Sequence, residues 1–402
     1  MRLLFVSHSL PPNGRPLANV GGMQRVALKL HESLAEKAAD ARAFSYTPLL
    51  LRSAWRTLHA KVPFFLANAG WKIRRAAQSD AVDLVLFSSM VTASLAVPLQ
   101  GLLERHGVKT AAIVHGLDVT TPVPPYQWFV PKVFDALDAV LPVSRATRHA
   151  CRERGARAHT LQVVPNGIDA DRFRPPEDRL AERQALAQHT DASPPPTPPD
   201  GLLLCSVGRQ VERKGTAWFI DAVMPRLPAD VHYWVAGDGP QSPVIQDTIH
   251  RHDLAPRVRH LGRVPNDTLA ALYRGADLFI MPNVPVENDM EGFGIVLLEA
   301  GQCGTPAIAA RLEGIQDVLT EGVNGHLVPP EDPSAFANAI AQYRGQPRAL
   351  GTAAKRARHH TTTHFGWGSV AETYLSVLRS VHADGRPASP VSESDPAPVP
   401  SP

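Results

Sequence analysis

This chain of 402 residues contains few cysteines and no long apolar run. Its positive and negative charges nearly balance. Its three cysteines, Cys151, Cys205 and Cys303, are odd in number and lack metal-ligand spacing, so we expect neither a disulfide framework nor a zinc site. No 18 apolar residues follow one another, so no membrane-spanning helix is predicted. The net charge of +3 is too small to indicate a nucleic-acid partner.

The remaining composition is that of a globular protein. The first residues, MRLLFVSHS, contain one basic residue and an apolar run too short for a signal peptide. With few cysteines, this predicts a cytoplasmic protein. Hydrophobic residues make up 44% of the chain and charged residues 20%, and the length allows two domains, each with its own core.

Acidic residues are absent between Ala41 and Ser79. The same stretch interleaves cations with aromatic residues, namely Arg42, Arg52, Arg56, Lys61, Lys72, Arg74 and Arg75 with Trp55, Phe64, Phe65 and Trp71. A basic, aromatic, amphipathic stretch is typical of proteins that lie on an anionic bilayer or meet an acidic acceptor. We hypothesise that residues 42–75 attach the protein to the inner face of the plasma membrane. The alternative is an ordinary basic surface helix packed by its aromatic residues.

The most informative stretch runs from Asp277 to Pro306 and has the pattern strand, loop, helix. Leu278–Met281 is an apolar run of strand length, and residues 294–303 carry apolar side chains at helical spacing. Ligands of open α/β sheets bind beyond the carboxyl ends of the strands, so the loop and the helix start are where we expect a site. Glu291 and Glu299 bracket that start about 12 Å apart along a helix. The two carboxylates could hold opposite ends of one ligand.

The first helical turn adds backbone donors. Glycine at positions 292 and 294 lets the backbone approach a ligand closely. The free N–H groups of Phe293, Gly294, Ile295 and Val296 would face an anion or sugar hydroxyl groups. Taken alone, the two glutamates have an alternative interpretation, in which they belong to an acidic loop before a core helix and bind no ligand.

This stretch, with Gly-Phe-Gly between the glutamates, resembles the donor-sugar signature of the retaining glycosyltransferases of the GT-B fold, family four. The resemblance implies an α/β protein with two Rossmann-like domains facing a cleft. It also implies that Glu291 and the backbone at 293–295 hold sugar hydroxyl groups. Val296 would lie near the phosphate, and Glu299 would take the ribose hydroxyl groups.

A pair of cations follows the predicted strand Leu202–Val207. Arg209 and Lys214 flank the loop at its carboxyl end, and they suit a diphosphate because arginine binds oxygens as a fork and lysine as a point charge. From their spacing alone, Arg209 and Lys214 could equally be solvated residues of the protein surface. The resembled family has this pair at the same spacing, on the phosphates of the leaving nucleotide. It also places backbone at Arg263 and Val264 against the base, where spacing alone indicates a turn.

Two further candidates lie in the first half of the chain. Gly21-Gly22 follows the first predicted strand, and in the resembled family such a pair admits the diphosphate, although a plain turn is the alternative. His115 follows the predicted strand Thr110–Val114, where a ring can reach a ligand across the cleft. In the resembled family this histidine touches the sugar near the reacting carbon, and the motif continues to a glutamate. This chain has Asp118 there, which leaves that residue's role open.

The domain limits come from breaks in the pattern. The segment 163–169, predicted as a strand that ends in an Asn-Gly turn, resembles the family's entry to the second domain. The polar segment 172–200, proline-rich at 191–200, is predicted to be a linker or surface loop. We therefore predict an acceptor-side domain over 1–167, a nucleotide-sugar-binding domain over 168–364, a helix over 365–382 that crosses back, and a disordered tail over 383–402.

Asp169-Ala170-Asp171 matches the Asp-x-Asp metal motif of another glycosyltransferase fold. We interpret the match as fortuitous, because it follows the interdomain turn and no third carboxylate cluster supports a divalent ion. We expect neither a metal nor a cofactor.

The resulting hypothesis is transfer of a hexose, such as mannose or glucose, from a nucleoside-diphosphate sugar with retention of configuration. A glycan or lipid-linked acceptor in cell-surface polysaccharide or glycolipid assembly is expected, and the predicted catalytic residues are His115, Arg209, Lys214 and Glu291. Two alternatives stay open. One is a sugar-nucleotide epimerase or phosphorylase of the same fold, and the other is a non-catalytic nucleotide-binding module on membranes.

Overall fold

The computed structural model describes residues 1–12, 22–40, 44–169, 172–189, 201–287 and 289–387. These residues form two parallel β-sheets with helices on both faces of each. The prediction of an α/β fold with two sheet-containing halves is confirmed. Gly21, Arg42, residues 170–171, the proline-rich segment at 191–200 and the tail beyond 387 lie outside the described residues.

The first sheet has five parallel strands in the order β2-β1-β3-β4-β5. They are β1 Arg2–Leu10, β2 Ser45–Arg52, β3 Leu84–Phe87, β4 Lys109–Val114 and β5 Ala139–Pro142. Its helices are α1 Gly22–Asp40, α2 Trp55–Gln78, α3 Met90–Ala93, α4 Ala96–Arg105, α5 Gly116–Thr120, α6 Pro124–Asp135 and α7 Arg145–Glu153.

The second sheet has six parallel strands in the order β11-β10-β9-β6-β7-β8. They are β6 Leu202–Val207, β7 Val231–Ala236, β8 Val258–Gly262, β9 Leu278–Met281, β10 Ala307–Ala310 and β11 Gly325–Val328. The helices of this half are α8 Arg179–His189, α9 Thr216–Trp218, α10 Ser242–Arg251, α11 Asn266–Gly275, α12 Ile295–Gln302, α13 Pro333–Ala341, α14 Pro347–Phe365 and α15 Trp367–Asp384. None of the helices within the described ranges is both long enough and apolar enough to cross a bilayer.

Strand order explains where a ligand can bind. In each sheet the order reverses once, between β1 and β3 in the first sheet and between β6 and β9 in the second. Connections on the two sides of such a switch point leave toward opposite faces, which opens a crevice at the carboxyl ends of the strands. The loops that follow β6 and β9 therefore lie together, although about 70 residues separate them in the chain.

Several of the strands have no exposed residue. β3, β5, β9 and β10 are each buried along their whole length, which matches their uninterrupted apolar sequences. Helix α7 begins after Ser144, whose hydroxyl group accepts a hydrogen bond of 3.0 Å from the Thr147 N–H.

Two segments cross between the halves and contact each other. The Ile168 N–H donates to the Phe365 carbonyl at 2.7 Å, and the Trp367 N–H donates to the Ile168 carbonyl at 3.3 Å. Gly167 lies so close to the Trp367 ring that a Cβ atom there would be 2.6 Å from it. After this crossing, α15 packs on α1 of the first half. The exact domain limits stay predictions.

Three predictions of local structure were wrong. Residues 179–189 form α8 rather than a loop, because Leu186 is fully buried and Arg179 and Arg183 form ion pairs with the buried Asp277. The basic stretch is not one helix, because its residues 45–52 form the edge strand β2, which pairs with β1 before helix α2 begins. Residues 163–169 form no strand, because the Val164 N–H donates to the Pro142 carbonyl of β5 at 3.0 Å but Pro165 has no N–H to continue a ladder.

Candidate functional site

Glu291 lies in the loop after β9 and is the centre of a buried ion-pair cluster. Its Oε2 accepts hydrogen bonds from Arg213 Nη1 at 2.5 Å and from Lys214 Nζ. Arg213 Nε donates to Asp289 Oδ1 at 2.9 Å, and Asn283 Nδ2 lies 3.5 Å from the same Glu291 oxygen. Both cations come from the loop after β6, so the switch point of the second sheet brings opposite charges together.

The cluster fixes the charge of Glu291. Burial alone would raise the pKa of this carboxyl group, but the charges of Lys214 and Arg213 and their hydrogen bonds lower it to about 2. Burial lowers the pKa of the Lys214 ammonium, and the charge of Arg213 adds to that effect against the attraction of Glu291. Glu291 is therefore ionised at neutral pH, and its charge opposes the effect of burial on the pKa of Lys214.

The backbone beside Glu291 is tightly packed between the two halves of the molecule. A Cβ atom at Gly314 would lie 2.4 Å from the Gly292 carbonyl oxygen, and a Cβ atom at Gly116 would lie 3.1 Å from Gly292 Cα. Gly116 directly follows His115 in the first half. The structure thus brings the loop of Glu291 against the loop of His115, as a site in the interdomain cleft requires.

Glu299 is the centre of a second buried cluster, one turn before the end of α12. Its Oε1 accepts from Arg25 Nη1 at 2.9 Å and from Arg172 Nη1 at 2.5 Å, and its Oε2 accepts from Tyr273 Oη at 2.9 Å. Arg25 belongs to α1, so this cluster spans the two halves. A cavity of about 290 Å³ adjoins it, lined also by Lys29, Asp169, Ile295 and Trp367.

The amino end of α12 lies between the two clusters. Gly294 is its N-cap residue and has a φ of 77°, a conformation that glycine adopts at no steric cost. Phe293 is buried against Phe365, with ring centroids 6.2 Å apart, and fixes the entry of the chain. Ile295 and Val296 are half-buried in the first turn. The predicted row of backbone N–H groups therefore exists at a helix start.

The predicted phosphate cations differ in their surroundings. Lys214 is buried on Glu291, whereas Arg209 is exposed, and its side chain forms no ion pair within the part of the chain that the structure describes. Arg209 is thus available to a ligand without breaking an existing contact. Binding of a phosphate by Lys214 would have to share or replace its contact with Glu291.

His115 and Asp118 lie at the carboxyl end of β4. Burial lowers the pKa of His115 to about 4 against a hydrogen bond to the backbone of Ser88, so the ring is neutral at pH 7. Its buried Nε2 has no hydrogen-bond partner among the described residues. Burial raises the pKa of Asp118 to about 7, although it accepts a hydrogen bond of 3.2 Å from the His115 N–H. The Asp118 carboxyl group therefore stabilises the backbone conformation of His115.

The remaining residues named from the sequence lie outside the two clusters. Gly22 is the first residue of α1, which follows the switch-point strand β1. Arg263 is exposed after β8, and Val264 is half-buried against the core. Asp169, from the Asp-x-Asp match, forms an ion pair of 2.8 Å with Lys29. The roles given to Gly22, Arg263 and Val264 stay predictions.

Several residues of the two clusters were not found by sequence reasoning. They are Arg213, Asn283, Asp289 and Glu313 near Glu291, and Arg25, Arg172 and Tyr273 near Glu299. Three of them had a local signal, because Arg213 adjoins Lys214 and because Asn283 and Asp289 lie in the loop of Glu291 itself. Glu313, Arg25, Arg172 and Tyr273 come from other segments, and nothing in their own neighbourhoods marks them.

Comparison with known proteins agrees with this geometry. Residues 201–344 match the family described as glycosyl transferases group 1, and residues 20–172 match glycosyltransferase family 4. The chain belongs to the group 1 glycosyltransferases. The family predicted from the loop of Glu291 is confirmed.

Two curated relatives of this group 1 glycosyltransferase illustrate the family. A GDP-mannose-dependent alpha-(1-6)-phosphatidylinositol monomannoside mannosyltransferase of Mycolicibacterium smegmatis is 26% identical over 383 residues, which are 91% of this chain and 95% of the relative. The D-inositol 3-phosphate glycosyltransferase 2 of Catenulispora acidiphila is 31% identical over 258 residues, which are 61% of this chain. That match spans 57% of the relative's own length.

Solved structures confirm the fold. HepE of Anabaena, crystallised with UDP, superposes with a TM-score of 0.68 at 19% identity and covers 94% of this chain and 100% of that one. The protein has the GT-B fold of two Rossmann-like domains.

Proposed function

We propose that this group 1 glycosyltransferase moves a hexose from a nucleoside-diphosphate sugar to a glycan or lipid-linked acceptor, with retention of configuration. The observation that carries the proposal is the pairing of Glu291 with Lys214 and Arg213 at the switch point of the second sheet. An ionised carboxylate suits sugar hydroxyl groups, and cations beside it suit the diphosphate to which that sugar is attached.

The relatives support a hexose donor and a lipid-linked acceptor. One is named for GDP-mannose and a phosphatidylinositol mannoside, and the other for an inositol phosphate. We extend these names to mannose or a similar hexose as the donor sugar, and to glycolipid or polysaccharide assembly as the setting.

In the proposed mechanism, negative charge grows on the diphosphate as the bond to the sugar breaks. Lys214, the exposed Arg209 and the N–H groups at the start of α12 stabilise that charge, and Gly22 admits the diphosphate from the first half. Each such preorganised donor is typically worth a factor of ~10²–10³ in turnover. These groups provide the electrostatic assistance to the leaving group, so the proposal requires no metal ion and no cofactor.

Glu291 and the backbone of 293–295 hold the donor sugar in this proposal, and Val296 lies near the phosphate. The low pKa of Glu291 supports its role as an acceptor of hydroxyl hydrogen bonds. His115 is neutral and has a free ring nitrogen, which suits a hydrogen bond to a sugar hydroxyl group near the reacting carbon. Glu291 is engaged by two cations, which makes it a poor nucleophile, so we favour attack by the acceptor from the face that the diphosphate leaves.

Glu299 binds the ribose in the same proposal, with Arg263 and Val264 beside the base. Its Oε1 is shared by Arg25 and Arg172, so a ribose hydroxyl group would replace one arginine while Tyr273 keeps its contact with Oε2. Arg25 is the arginine we expect to be displaced, because it comes from the opposite domain and moves away when the cleft opens.

The proposal is tested by thermal shift with GDP, UDP, ADP, NAD and their common sugar conjugates. A ligand at 100 times its Kd stabilises the fold by about 2.7 kcal/mol, which a melting curve resolves. We expect a shift with one nucleoside diphosphate and with its sugar conjugate. A panel without any shift would contradict the phosphate roles and favour a module that binds membranes without transferring sugar.

A product assay then separates the transferase from an epimerase or a phosphorylase. With the identified donor and a lipid-linked acceptor, NMR of the product should show the anomeric configuration of the donor, and EDTA should leave the rate unchanged. Conversion of the donor without acceptor would indicate an epimerase, and dependence on orthophosphate would indicate a phosphorylase.

We also propose that α2 attaches the protein to an anionic membrane surface. Its outer face exposes Phe64 and Trp71, which are 79% and 57% accessible, among exposed cations that include Lys61 and Lys72. Its inner face is buried through residues such as Ile73. Helix α2 contains no acidic residue. Its exposed aromatic side chains are therefore better suited to contact with an anionic lipid surface than to contact with water.

Sedimentation with vesicles tests this attachment. We expect binding to vesicles that contain anionic lipid at low salt, none to neutral vesicles, and weaker binding after Phe64→Ser with Trp71→Ser. Protein that stays wholly in the supernatant at low salt would contradict the attachment.

A further inference from the structure

Glu313 adopts a backbone conformation that side chains seldom adopt, with a φ of 45°. It begins the one-turn helix Glu313–Asp317, which follows β10 at the carboxyl end of the second sheet. Three other non-glycine residues in the described ranges have positive φ, namely Asp80, Asp253 and Glu331. Of these four, Glu313 is the one that contacts the candidate site. A strained residue at such a place points to a functional constraint.

The carboxylate of Glu313 binds the backbone of Glu291. Its Oε2 accepts a hydrogen bond from the Glu291 N–H. The next residue, Gly314, donates its N–H to the Glu291 carbonyl at 3.1 Å. Two consecutive residues thus hold both polar backbone groups of the glutamate whose side chain binds Arg213 and Lys214.

This position is unfavourable for a negative charge. Burial raises the pKa of Glu313, and the nearby Glu291 and Asp289 raise it further, against the hydrogen bond from the Glu291 N–H and the charge of Arg213. Arg213 is already paired with Glu291 and Asp289. The hydrogen bond from the Glu291 N–H is therefore the contact that explains why a carboxylate is found at position 313.

The far end of the same short helix is bound to the first domain. Arg145, at the start of α7, donates its backbone N–H to Asp317 Oδ2 at 2.9 Å and its Nε to Asp317 Oδ1 at 2.7 Å. Its Nη2 also donates to the Gln316 carbonyl at 3.1 Å. The segment that holds Glu291 is thus anchored on both domains.

We propose that Glu313 is a positioning residue for sugar binding: by holding the Glu291 backbone, it fixes the direction of the carboxylate that receives the donor sugar. The inference rests on the proposed function, since it concerns the same sugar site. It assigns no contact with substrate to Glu313 itself, so the residue acts through Glu291.

The test compares Glu313→Gly with Glu313→Gln. Glycine removes the carboxylate and accepts the positive φ without strain, whereas glutamine keeps an oxygen that can accept from the Glu291 N–H. We measure the KM of the nucleotide sugar in the transfer assay and the inhibition constant of the matching nucleoside diphosphate. Glu313→Gly should raise the KM about tenfold, as loss of one hydrogen bond of typical strength does, and leave the inhibition constant unchanged. Glu313→Gln should stay close to the wild type.

Glu331→Gly is the matched control, because Glu331 is exposed, has a φ of 54° and lies in the turn before α13. It should leave both constants unchanged. An equal rise of both constants in Glu313→Gly would show general damage to the site and overturn the inference. So would a glutamine variant as impaired as the glycine variant, or a glycine variant identical to the wild type in a protein that transfers sugar. A wild-type protein that transfers no sugar would instead overturn the proposed function, and the inference with it.

Discussion

Two buried glutamates, Glu291 before α12 and Glu299 near its end, bind cations from different parts of the molecule. Glu291 binds Arg213 and Lys214, which come from its own domain and from one loop. Glu299 binds Arg25 from the other domain and Arg172 from the segment that joins the domains. The ion pairs of the first cluster lie within one domain, whereas the pair of Arg25 with Glu299 depends on how the domains are docked.

One cleft can thus be preformed at its sugar site and adjustable at its nucleotide site. Sugar binding needs a carboxylate at a fixed position, because hydrogen bonds to hydroxyl groups lose strength quickly with misalignment. Nucleotide binding must admit a large ligand between two domains. A contact such as Arg25 with Glu299, which a ribose can replace, suits that second task.

The largest expected effect is on the intradomain cluster. Lys214→Ala removes a cation from the proposed leaving group and should lower turnover by ~10²–10³-fold, with a smaller change in KM. Steady-state kinetics with the identified donor measure it, and Lys355→Ala, a change of an exposed lysine on α14, is the control. Unchanged turnover would remove Lys214 from the leaving-group role.

A second prediction concerns pH and the same cluster. The pKa of Glu291 in the folded protein is about 2, below its ordinary value of 4.5. A lowered pKa means that ionised Glu291 stabilises the fold above about pH 4.5, and that this stability is lost as the pH falls toward 2. The difference corresponds to ~3 kcal/mol in the free energy of unfolding.

Glu291→Gln should therefore lower the free energy of unfolding at pH 7 and flatten its decline below pH 4.5. Urea titrations between pH 7 and pH 3.5 measure this slope. Glu36→Gln replaces an exposed glutamate of α1 and should keep the wild-type slope. A variant at position 291 that declines as steeply as the wild type would show that other carboxyl groups cause the acid sensitivity.

The smallest expected effect concerns the interdomain cluster. Tyr273→Phe removes the hydrogen bond to Glu299 Oε2 from a fully buried ring and should cost about 1–3 kcal/mol in the free energy of unfolding. Tyr374→Phe is a matched control, because the buried Tyr374 hydroxyl has no hydrogen-bond partner among the described residues. It should be neutral or stabilising in the same urea titration. Equal losses in both variants would mean that the Glu299 contact contributes nothing specific.

Much of the fold could be predicted from local patterns. Strand β9 and helix α12 lie within a residue of their predicted limits, since an apolar run and helical spacing are local properties. Helix α8 was missed because its burial rests on Leu186 and on arginines that reach Asp277 about 90 residues away. Because the sequence of this helix is polar, its apolar pattern is too weak for the helix to be predicted.

The candidate site divides in the same way. Glu291, Lys214 and the helix start could be predicted because their motifs are local or resemble a family. The partners of Glu299 could not, since Arg25 is 274 residues away and meets it only after both domains have folded and docked. Glu313 carried no signal either, because its conformation and its contact with the Glu291 backbone are visible only in three dimensions.

Calorimetric titration of Glu291→Gln and Glu299→Gln, each with the bare nucleoside diphosphate and with its sugar conjugate, tests the central claim most directly. We predict that Glu291→Gln loses affinity for the sugar conjugate alone, because the cations that it leaves unpaired can still bind the phosphates. Glu299→Gln should lose affinity for both ligands by the same factor, since both contain the ribose. Equal losses for both ligands in both variants, or a loss of bare nucleotide binding in Glu291→Gln, would contradict the assignment of sugar to one glutamate and nucleotide to the other.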